Sequence, residues 1–201
     1  SVSNGALCIS RSVAENLDEW MRVNHPGRKR PFKIGWFHLG ADIDHSIPSV
    51  GMPKDGPDTI KTLASGASFL AVGTIEPRKG QMQILDAFER LWLAGSEINL
   101  VLVGKKGWGM QPFADRLLSH PQRGKRLFWF EGCSDEYLEK IYAACICLIA
   151  ASEGEGFGLP LIEAARHNIP IIARDIPVFR EVAGEHAFYF QGREPEALSA
   201  A

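Results

Sequence analysis

The chain has 201 residues, of which 45% are hydrophobic and 23% charged, and these proportions are typical of a globular protein. They exclude a disordered, collagen-like or coiled-coil chain, and the longest apolar run, residues 141–151, is too short to cross a bilayer as a helix. The formal net charge of −2 gives no global basic field, so we expect no nucleic-acid partner.

The ends and the cysteines indicate the setting of the chain. It begins with Ser1 rather than Met, lacks a signal sequence and ends inside a predicted helix, so we expect a fragment of a longer protein. The four cysteines show no metal-finger spacing, and Cys145 and Cys147 lie in an apolar run, where cysteine acts as a small hydrophobic residue. We therefore expect a reducing, cytoplasmic setting.

The region before residue 66 contains few predicted elements. Strands are predicted at residues 6–10 and 33–37, on either side of a helix at residues 13–23. Residues 39–65 are rich in glycine and proline and have no clear periodicity. We interpret them as a linker or long loop.

From residue 66 onward, short apolar runs alternate with amphipathic stretches. Strands are predicted at residues 68–72, 98–103, 127–130, 145–150, 169–173 and 186–190. Helices are predicted at residues 79–94, 113–119, 134–144 (with Ser134 as the N-cap), 159–167 and 178–182. Because parallel strands need such crossovers, the pattern predicts an α/β fold with a Rossmann-like, doubly wound parallel sheet.

The first candidate site is the loop at residues 73–80, which follows a predicted strand and precedes a predicted helix. Gly73 and Gly80 allow close backbone approach, Arg78 can bind an anion through two hydrogen bonds, and Lys79 adds a compact charge. Together with the helix N-terminus, these residues suit a phosphate or diphosphate. An exposed basic turn explains the same composition equally well.

The second candidate site is the loop at residues 152–163. Glycines at every second position, at 154, 156 and 158, leave backbone N–H groups free to line an anion site. Glu155 lies in the loop and Glu163 in the first turns of the next helix, where carboxylates can accept hydrogen bonds from sugar or ribose hydroxyls. The alternative is that Glu163 complements the helix dipole and the glycines form a turn.

Other motifs are absent or weak. The glycines do not fit G-x-G-x-x-G, which disfavours a nicotinamide-dependent oxidoreductase. We expect Trp108 to pack over the sheet rather than to stack on a ligand, and residues 28–30 to form a solvated basic turn. A group of potential metal ligands lies in the predicted linker, where a solvated loop is favoured over a metal site: His38, Asp42, Asp44 and His45.

Taken together, the two loops resemble the donor-binding domain of retaining glycosyltransferases of family 4, which have the GT-B fold. The resemblance rests on Gly-x-x-x-x-Arg-Lys-Gly at residues 73–80 and Glu-Gly-Phe-Gly-Leu-Pro-x-x-Glu-Ala at residues 155–164. Segments at residues 103–105, 132–136, 141–142, 169–173 and 181–182 are also similar to the family. The resemblance implies a donor-binding domain at residues 66–201, a linker at 46–65 and a remnant of the acceptor domain at 1–45.

The resemblance also implies roles for single residues. Arg78 and Lys79 would neutralise the donor diphosphate, Glu155 would hold hydroxyls of the transferred sugar, and Glu163 would bind the ribose hydroxyls. Arg78, Lys79 and Glu155 are the catalytic candidates. The remaining donor-binding candidates lie at strand ends and in the second loop: Gly73, Thr74, Gly132, Cys133, Gly156, Phe157, Gly158 and Leu159. Some family members carry an arginine where this chain has Thr74, so the diphosphate here has one fewer cationic partner.

The implied activity is transfer of a hexose from a GDP- or UDP-linked donor to a hydroxyl of a glycan or lipid-linked glycan, with retention and without a metal or other cofactor. Similarity to bacterial polysaccharide mannosyltransferases favours GDP-mannose. Contact with the inner face of a membrane is compatible with a lipid-linked acceptor. The chain alone is expected to bind nucleotide weakly and to transfer no sugar. The alternative is a non-catalytic, regulatory module that binds nucleotide sugars.

Overall fold

The computed structural model describes residues 3–24, 27, 30–40 and 47–201 of the chain. In this part, a two-stranded sheet joins β1 (Gly5–Cys8) to β2 (Lys33–Trp36). A six-stranded sheet contains β3 (Ser68–Val72), β4 (Asn99–Val103), β5 (Leu127–Phe130), β6 (Cys147–Ala150), β7 (Ile171–Arg174) and β8 (Phe188–Phe190).

Helices connect the strands. They are α1 (Arg11–Asn24), α2 (Gly56–Ala64), α3 (Gln81–Leu93), α4 (Gln111–Ser119), α5 (Asp135–Ala144), α6 (Leu159–Arg166), α7 (Pro177–Ala183) and α8 (Pro195–Ser199). A 3-10 turn at Pro77–Lys79 precedes α3. Ser134 caps α5, because its hydroxyl accepts a hydrogen bond from the backbone N–H of Tyr137.

The strand order of the larger sheet is β5-β4-β3-β6-β7-β8, and all neighbouring strands are parallel. This order confirms the predicted Rossmann-like, doubly wound sheet. The direction of winding reverses between β3 and β6. In such sheets the crevice beyond the carboxyl ends of these two strands is the usual ligand-binding place.

Both faces of the six-stranded sheet are covered, so its strands are buried on both sides. Leu70 and Val101 pack against one layer, which includes Ile141 of α5. Leu100 on the opposite face packs with Ile84 and Phe88 of α3. All five residues of β4 are buried, as expected for a parallel strand covered on both faces.

The predicted elements are confirmed to within two residues at each end. The interpretation of residues 39–65 as an unstructured linker is wrong in one part, because α2 occupies Gly56–Ala64. This helix carries proline in its first turn, a favourable position for that residue, and it buries Leu63 completely in the core that includes Tyr137. The glycines and prolines around the helix obscure its short apolar pattern.

The carboxylate of Glu181 links the β1-α1-β2 unit to α7, which packs beside the larger sheet. Glu181 of α7 accepts hydrogen bonds from the backbone N–H groups of Arg11 (2.7 Å) and Ser12 (2.8 Å), at the start of α1. The Ser12 hydroxyl (2.6 Å) and His38 Nε2 (2.7 Å) contact the same carboxylate. The first turn of α1 contains no acidic residue, so Glu181 supplies the negative charge that this helix N-terminus favours.

Because of Glu181, the free energy of unfolding should decrease as the pH becomes acidic. Burial alone would raise the pKa of Glu181, but the hydrogen bonds from Ser12, Arg11 and His38 outweigh it and lower the pKa from 4.5 to about 2. A lowered folded-state pKa stabilises the fold fully above pH 4.5, and this contribution is lost as the pH falls towards 2. We expect Glu181→Gln to reduce the free energy of unfolding by roughly 2 kcal/mol at pH 7.

Urea unfolding of both chains between pH 7 and pH 2 measures this difference. The two unfolding free energies should converge as the pH falls through the range from 4.5 to 2. Asp18→Asn, which removes an exposed carboxylate that pairs with Arg22 at 3.1 Å, is the control and should change stability little. A Glu181→Gln effect of the same size at every pH would contradict the argument.

Candidate functional site

The loop after β3 is held against the loop after β4. The backbone N–H of Ile75 donates to the carbonyl of Lys105 at 2.8 Å, and that of Gly107 donates to the carbonyl of Ile75 at 2.9 Å. The 3-10 turn then brings the Lys79 side chain back over Gly73, where a Cβ would lie 3.6 Å from Lys79 Nζ. Backbone hydrogen bonds thus join the predicted cationic loop, at the carboxyl end of β3, to the neighbouring loop.

The loop after β6 lies beside it. The backbone N–H of Glu153 donates to the carbonyl of Arg78 at 2.8 Å, which joins the two loops directly. Gly158 precedes the first residue of α6 and Pro160 lies in its first turn. The fold thus brings together the two motifs that lie some 75 residues apart in sequence, at the point where the winding of the sheet reverses.

Glu155 is the centre of an ion cluster between the loops. Its Oε1 lies 2.5 Å from Lys79 Nζ and accepts a hydrogen bond from the Ser152 hydroxyl at 2.7 Å. Its Oε2 lies 3.4 Å from Arg78 Nη1, while Arg78 Nε contacts Glu76 at 3.1 Å. The Lys79 and Glu155 side chains are only 15% and 13% exposed, so water weakens their attraction little.

The charges of this cluster cancel. The two cations, Arg78 and Lys79, face two carboxylates, Glu76 and Glu155, and Arg78 also donates to the carbonyl of Gly154 at 2.9 Å. An anion that enters the site must therefore compete with Glu155 for Lys79. An arrangement of this kind suits a ligand that offers both anionic groups for the cations and hydroxyl groups for the carboxylate.

Backbone N–H groups lie beside the ion cluster, in the segment that precedes α6. Among the described residues, no acceptor is found for the N–H groups of Gly156, Phe157, Gly158 and Leu159, which lead into α6. The Phe157 side chain is buried, with its ring centroid 5.5 Å from that of His38, while Leu159 is partly exposed. The resemblance implies that the backbone of residues 156–159 faces the sugar and phosphate, and this backbone lies at a helix N-terminus, which favours negative charge.

Glu163 lies one turn into α6 and is partly buried. Its Oε2 accepts a hydrogen bond from the hydroxyl of Tyr142 at 2.6 Å. Its Oε1 accepts none from the described residues. If Glu163 only complemented the helix dipole, it would need no hydrogen bond from a buried tyrosine. That interpretation therefore does not explain the contact with Tyr142.

Gly132 and Cys133 follow β5, two strands away from β3, so they lie at the far end of the crevice. A Cβ on Gly132 would lie 3.9 Å from Lys105 Cε. Cys133 is half-buried, and burial raises the pKa of its thiol. A planar ligand group could lie against these residues. The raised pKa keeps the thiol protonated, so it is not activated as a nucleophile.

A small cavity lies beneath the ion cluster, between β3, β6 and the start of α3. Its volume is about 20 Å³, and Lys79, Gln81, Glu155 and Gly158 are among the residues that line it. Gln81 Nε2 donates to the carbonyl of Thr74 at 3.0 Å, which fixes the residue after Gly73. The cavity holds no more than one water-sized molecule, so a ligand of nucleotide size must lie on the open side of the loops.

Several other predictions can be compared with the structure. Trp108 is 75% exposed, so the expectation that it packs over the sheet is wrong: its loop is held against Ile75, and this leaves the ring outside. Asp42, Asp44, His45 and residues 28–29 lie outside the described residues. Within the described ranges, no group of three or more potential ligands could hold a metal ion. No helix in the same ranges is long and apolar enough to cross a membrane.

The contacts of three residues were not predicted from the sequence, although two of these residues, Tyr142 and Glu181, lie in segments that are similar to the family. Tyr142 holds Glu163, Ser10 donates from its hydroxyl to the carbonyl of Gly156 at 2.7 Å, and Glu181 anchors α1. A polar residue within the apolar run at 141–151 is the signal that marks Tyr142. Ser10 and Glu181 carry no comparable signal, because their partners lie about 150 residues or more away in sequence.

Comparisons with known proteins agree with this geometry. The family model described as glycosyl transferases group 1 matches residues 64–201. The serotype-specific mannosyltransferase WbdA of Escherichia coli is 49% identical over 197 residues, which are 97% of this chain and 24% of that protein. O-antigen chain mannosyltransferase B of Escherichia coli is 32% identical over 65% of this chain and 34% of that protein.

A solved structure shows the same fold. The crystal structure of Anabaena Alr3699/HepE in complex with UDP-glucose matches with a TM-score of 0.72 and 20% identity, over 98% of this chain and 52% of that chain. The doubly wound sheet is thus one half of a GT-B fold. The chain belongs to the glycosyl transferases group 1 family. It spans 24% of the length of WbdA.

Proposed function

We propose that this chain is the donor-binding part of a mannosyltransferase, which transfers mannose from a nucleoside diphosphate sugar to a hydroxyl of a growing polysaccharide, with retention. The observation that carries the proposal is the cluster of Glu155 with Lys79 and Arg78 beside the N-terminus of α6. It occurs in a chain that is 49% identical to a mannosyltransferase.

The chemistry of the transfer explains why such a cluster is useful. The bond between the sugar C1 and a diphosphate oxygen breaks, a bond forms between C1 and the acceptor oxygen, and the acceptor proton passes to the leaving diphosphate. Negative charge grows on the leaving diphosphate. Lys79, Arg78 and the N–H groups of residues 156–159 stabilise this charge without a metal ion or other cofactor, because they are held in place before the reaction starts.

The donor would lie along the crevice with its parts in a fixed order. The sugar hydroxyls contact Glu155, the diphosphate contacts Lys79 and Arg78 near Gly73 and Thr74, and the ribose contacts Glu163. Gly132 and Cys133 then edge the nucleobase. Glu155 and Glu163 both follow β6, the two cations follow β3, and Gly132 and Cys133 follow β5, so the donor would lie across the ends of these strands. Because the two Escherichia coli relatives described above are mannosyltransferases, we propose GDP-mannose as the donor.

The acceptor is proposed to be a glycan or lipid-linked glycan, reached in the cytoplasm or at the inner face of a membrane. The resemblance to family 4 implies that the acceptor binds between the two halves of a GT-B fold, and in the described part of this chain only the β1-α1-β2 unit would belong to the second half. Ser10 at the end of β1 contacts Gly156 in the donor loop. We therefore propose that the 201 residues bind the donor and transfer no sugar alone.

Isothermal titration calorimetry with GDP-mannose, GDP, UDP and ADP tests the proposal. The guanine nucleotides should bind most tightly, and Arg78→Ala combined with Lys79→Ala should weaken GDP binding at least tenfold, because two phosphate partners are lost. The charge-matched control combines Arg22→Ala with Arg90→Ala, which removes two exposed cations paired with Asp18 and Glu196. The absence of any nucleotide binding, or equal binding by the two double variants, would refute the proposal.

A further inference from the structure

The Tyr142 hydroxyl is a buried donor aimed at the site. Tyr142 is 1% exposed, and its hydroxyl donates a hydrogen bond to Glu163 Oε2 at 2.6 Å. The imidazole ring of His167 stacks on one face of the Tyr142 ring. The two ring centroids are 5.1 Å apart and the ring planes differ by 5°. His167 is held in turn by Glu139 at 2.9 Å.

This arrangement fixes the carboxylate of Glu163. A glutamate on a helix surface otherwise samples several rotamers, and ordering them on binding reduces affinity. The bond to Tyr142 occupies Oε2 and leaves Oε1, which accepts nothing from the described residues, for a ligand. Burial and the neighbouring charge of Glu163 raise the pKa of Tyr142, so the phenol stays protonated and donates throughout the neutral range.

We propose that Tyr142 is a positioning residue that aims Glu163 at the ribose hydroxyls of the donor. The inference rests on the proposed function, because it assigns Glu163 a ribose ligand. It adds that ribose recognition depends on a residue that lies 21 positions away on α5 and touches no part of the donor itself. A ribose hydroxyl that donates to the open Oε1 of this preoriented carboxylate makes a hydrogen bond that a deoxyribose cannot make, so the site discriminates against deoxyribose.

The test compares GDP with 2′,3′-dideoxy-GDP on the wild-type chain and on Tyr142→Phe. The phenylalanine ring keeps the stack on His167 and loses only the hydroxyl. We expect wild type to prefer GDP over the dideoxy nucleotide at least tenfold. Tyr142→Phe should bind GDP about fivefold to tenfold more weakly and the dideoxy nucleotide with unchanged affinity. The loss should thus appear only when the ribose hydroxyls are present.

Tyr137→Phe is the matched control. Tyr137 lies on the same helix, is 2% exposed and packs its ring edge against Phe130, so the variant removes a buried hydroxyl at a different place. Tyr137→Phe should change the binding affinity of neither GDP nor the dideoxy nucleotide. If Tyr142→Phe does not fold, Glu163→Asp serves instead, since its shorter side chain draws the carboxylate away from Tyr142 while the charge stays. It should show the same loss, confined to GDP.

Three results would overturn the inference. Equal losses for GDP and dideoxy-GDP in Tyr142→Phe would show that the tyrosine only stabilises the fold. Equal binding of both nucleotides by wild type would show that Glu163 accepts no hydrogen bond from a ribose hydroxyl. The proposed nucleotide-sugar function would still stand. Failure of wild type to bind any nucleotide would overturn that function, and with it the role of Tyr142.

Discussion

Glu155→Gln should bind free GDP about tenfold more tightly than the wild-type chain, while the mannose of GDP-mannose should add less to the affinity than it does in the wild-type chain. In the structure Glu155 neutralises Lys79 at 2.5 Å and lies 3.4 Å from Arg78, so a diphosphate must displace it. Glutamine removes that competition and leaves the cations for the phosphates. The amide also loses the charge that strengthens hydrogen bonds from sugar hydroxyls, so the sugar adds less to the affinity.

The measurement is the ratio of the dissociation constants for GDP and GDP-mannose, obtained by calorimetry at two salt concentrations. The gain in GDP affinity should shrink at high salt, since part of it is electrostatic. Glu153→Gln is the control, because Glu153 lies in the same loop and pairs with Arg193 at 2.8 Å rather than with Lys79. Weaker GDP binding by Glu155→Gln, or an unchanged ratio, would contradict the assigned role.

The sheet is the part of the fold that the sequence predicts well, and the reason is burial. A strand such as β4, buried at all five positions, reads as a short continuous apolar run because parallel strands are covered on both faces. The helix α3 keeps a regular apolar spacing because one stripe faces the sheet. The helix α2 is missed because it is nine residues long and only Gly56 and Leu63 are buried, too few for a periodicity.

The site is predicted in outline for a topological reason. Loops that follow parallel strands all emerge at one edge of the sheet, so Lys79 and Glu155 had to lie on the same side once the strands were recognised. Strand order decides which loops are neighbours, and no local signal carries it. The direct pairing of Lys79 with Glu155, and of Tyr142 with Glu163, follows from that order and appears only in the structure.

Gly80→Ala should lower the free energy of unfolding by about 3 to 4 kcal/mol and weaken nucleotide binding in the chain that still folds. Gly80 has a φ of 73°, a left-handed conformation that costs an alanine roughly 1 kcal/mol. An added Cβ would also lie within 2.9 Å of the backbone and Cβ atoms of Ala151, at the end of β6. The close approach of these two residues sets the separation of the loops that carry Lys79 and Glu155.

The comparison with Gly95→Ala separates the two causes. Gly95 also has a left-handed φ, 93°, but an added Cβ there meets no atom of the described residues within 4 Å. We expect it to cost only about 1 kcal/mol and to leave nucleotide affinity unchanged. Urea unfolding gives the two stabilities, and calorimetry with GDP gives the affinities. If both variants lost equal stability, the conformation of the backbone alone would explain Gly80. If only Gly80→Ala also weakened GDP binding, the contact with Ala151 would be what holds the two loops at binding distance.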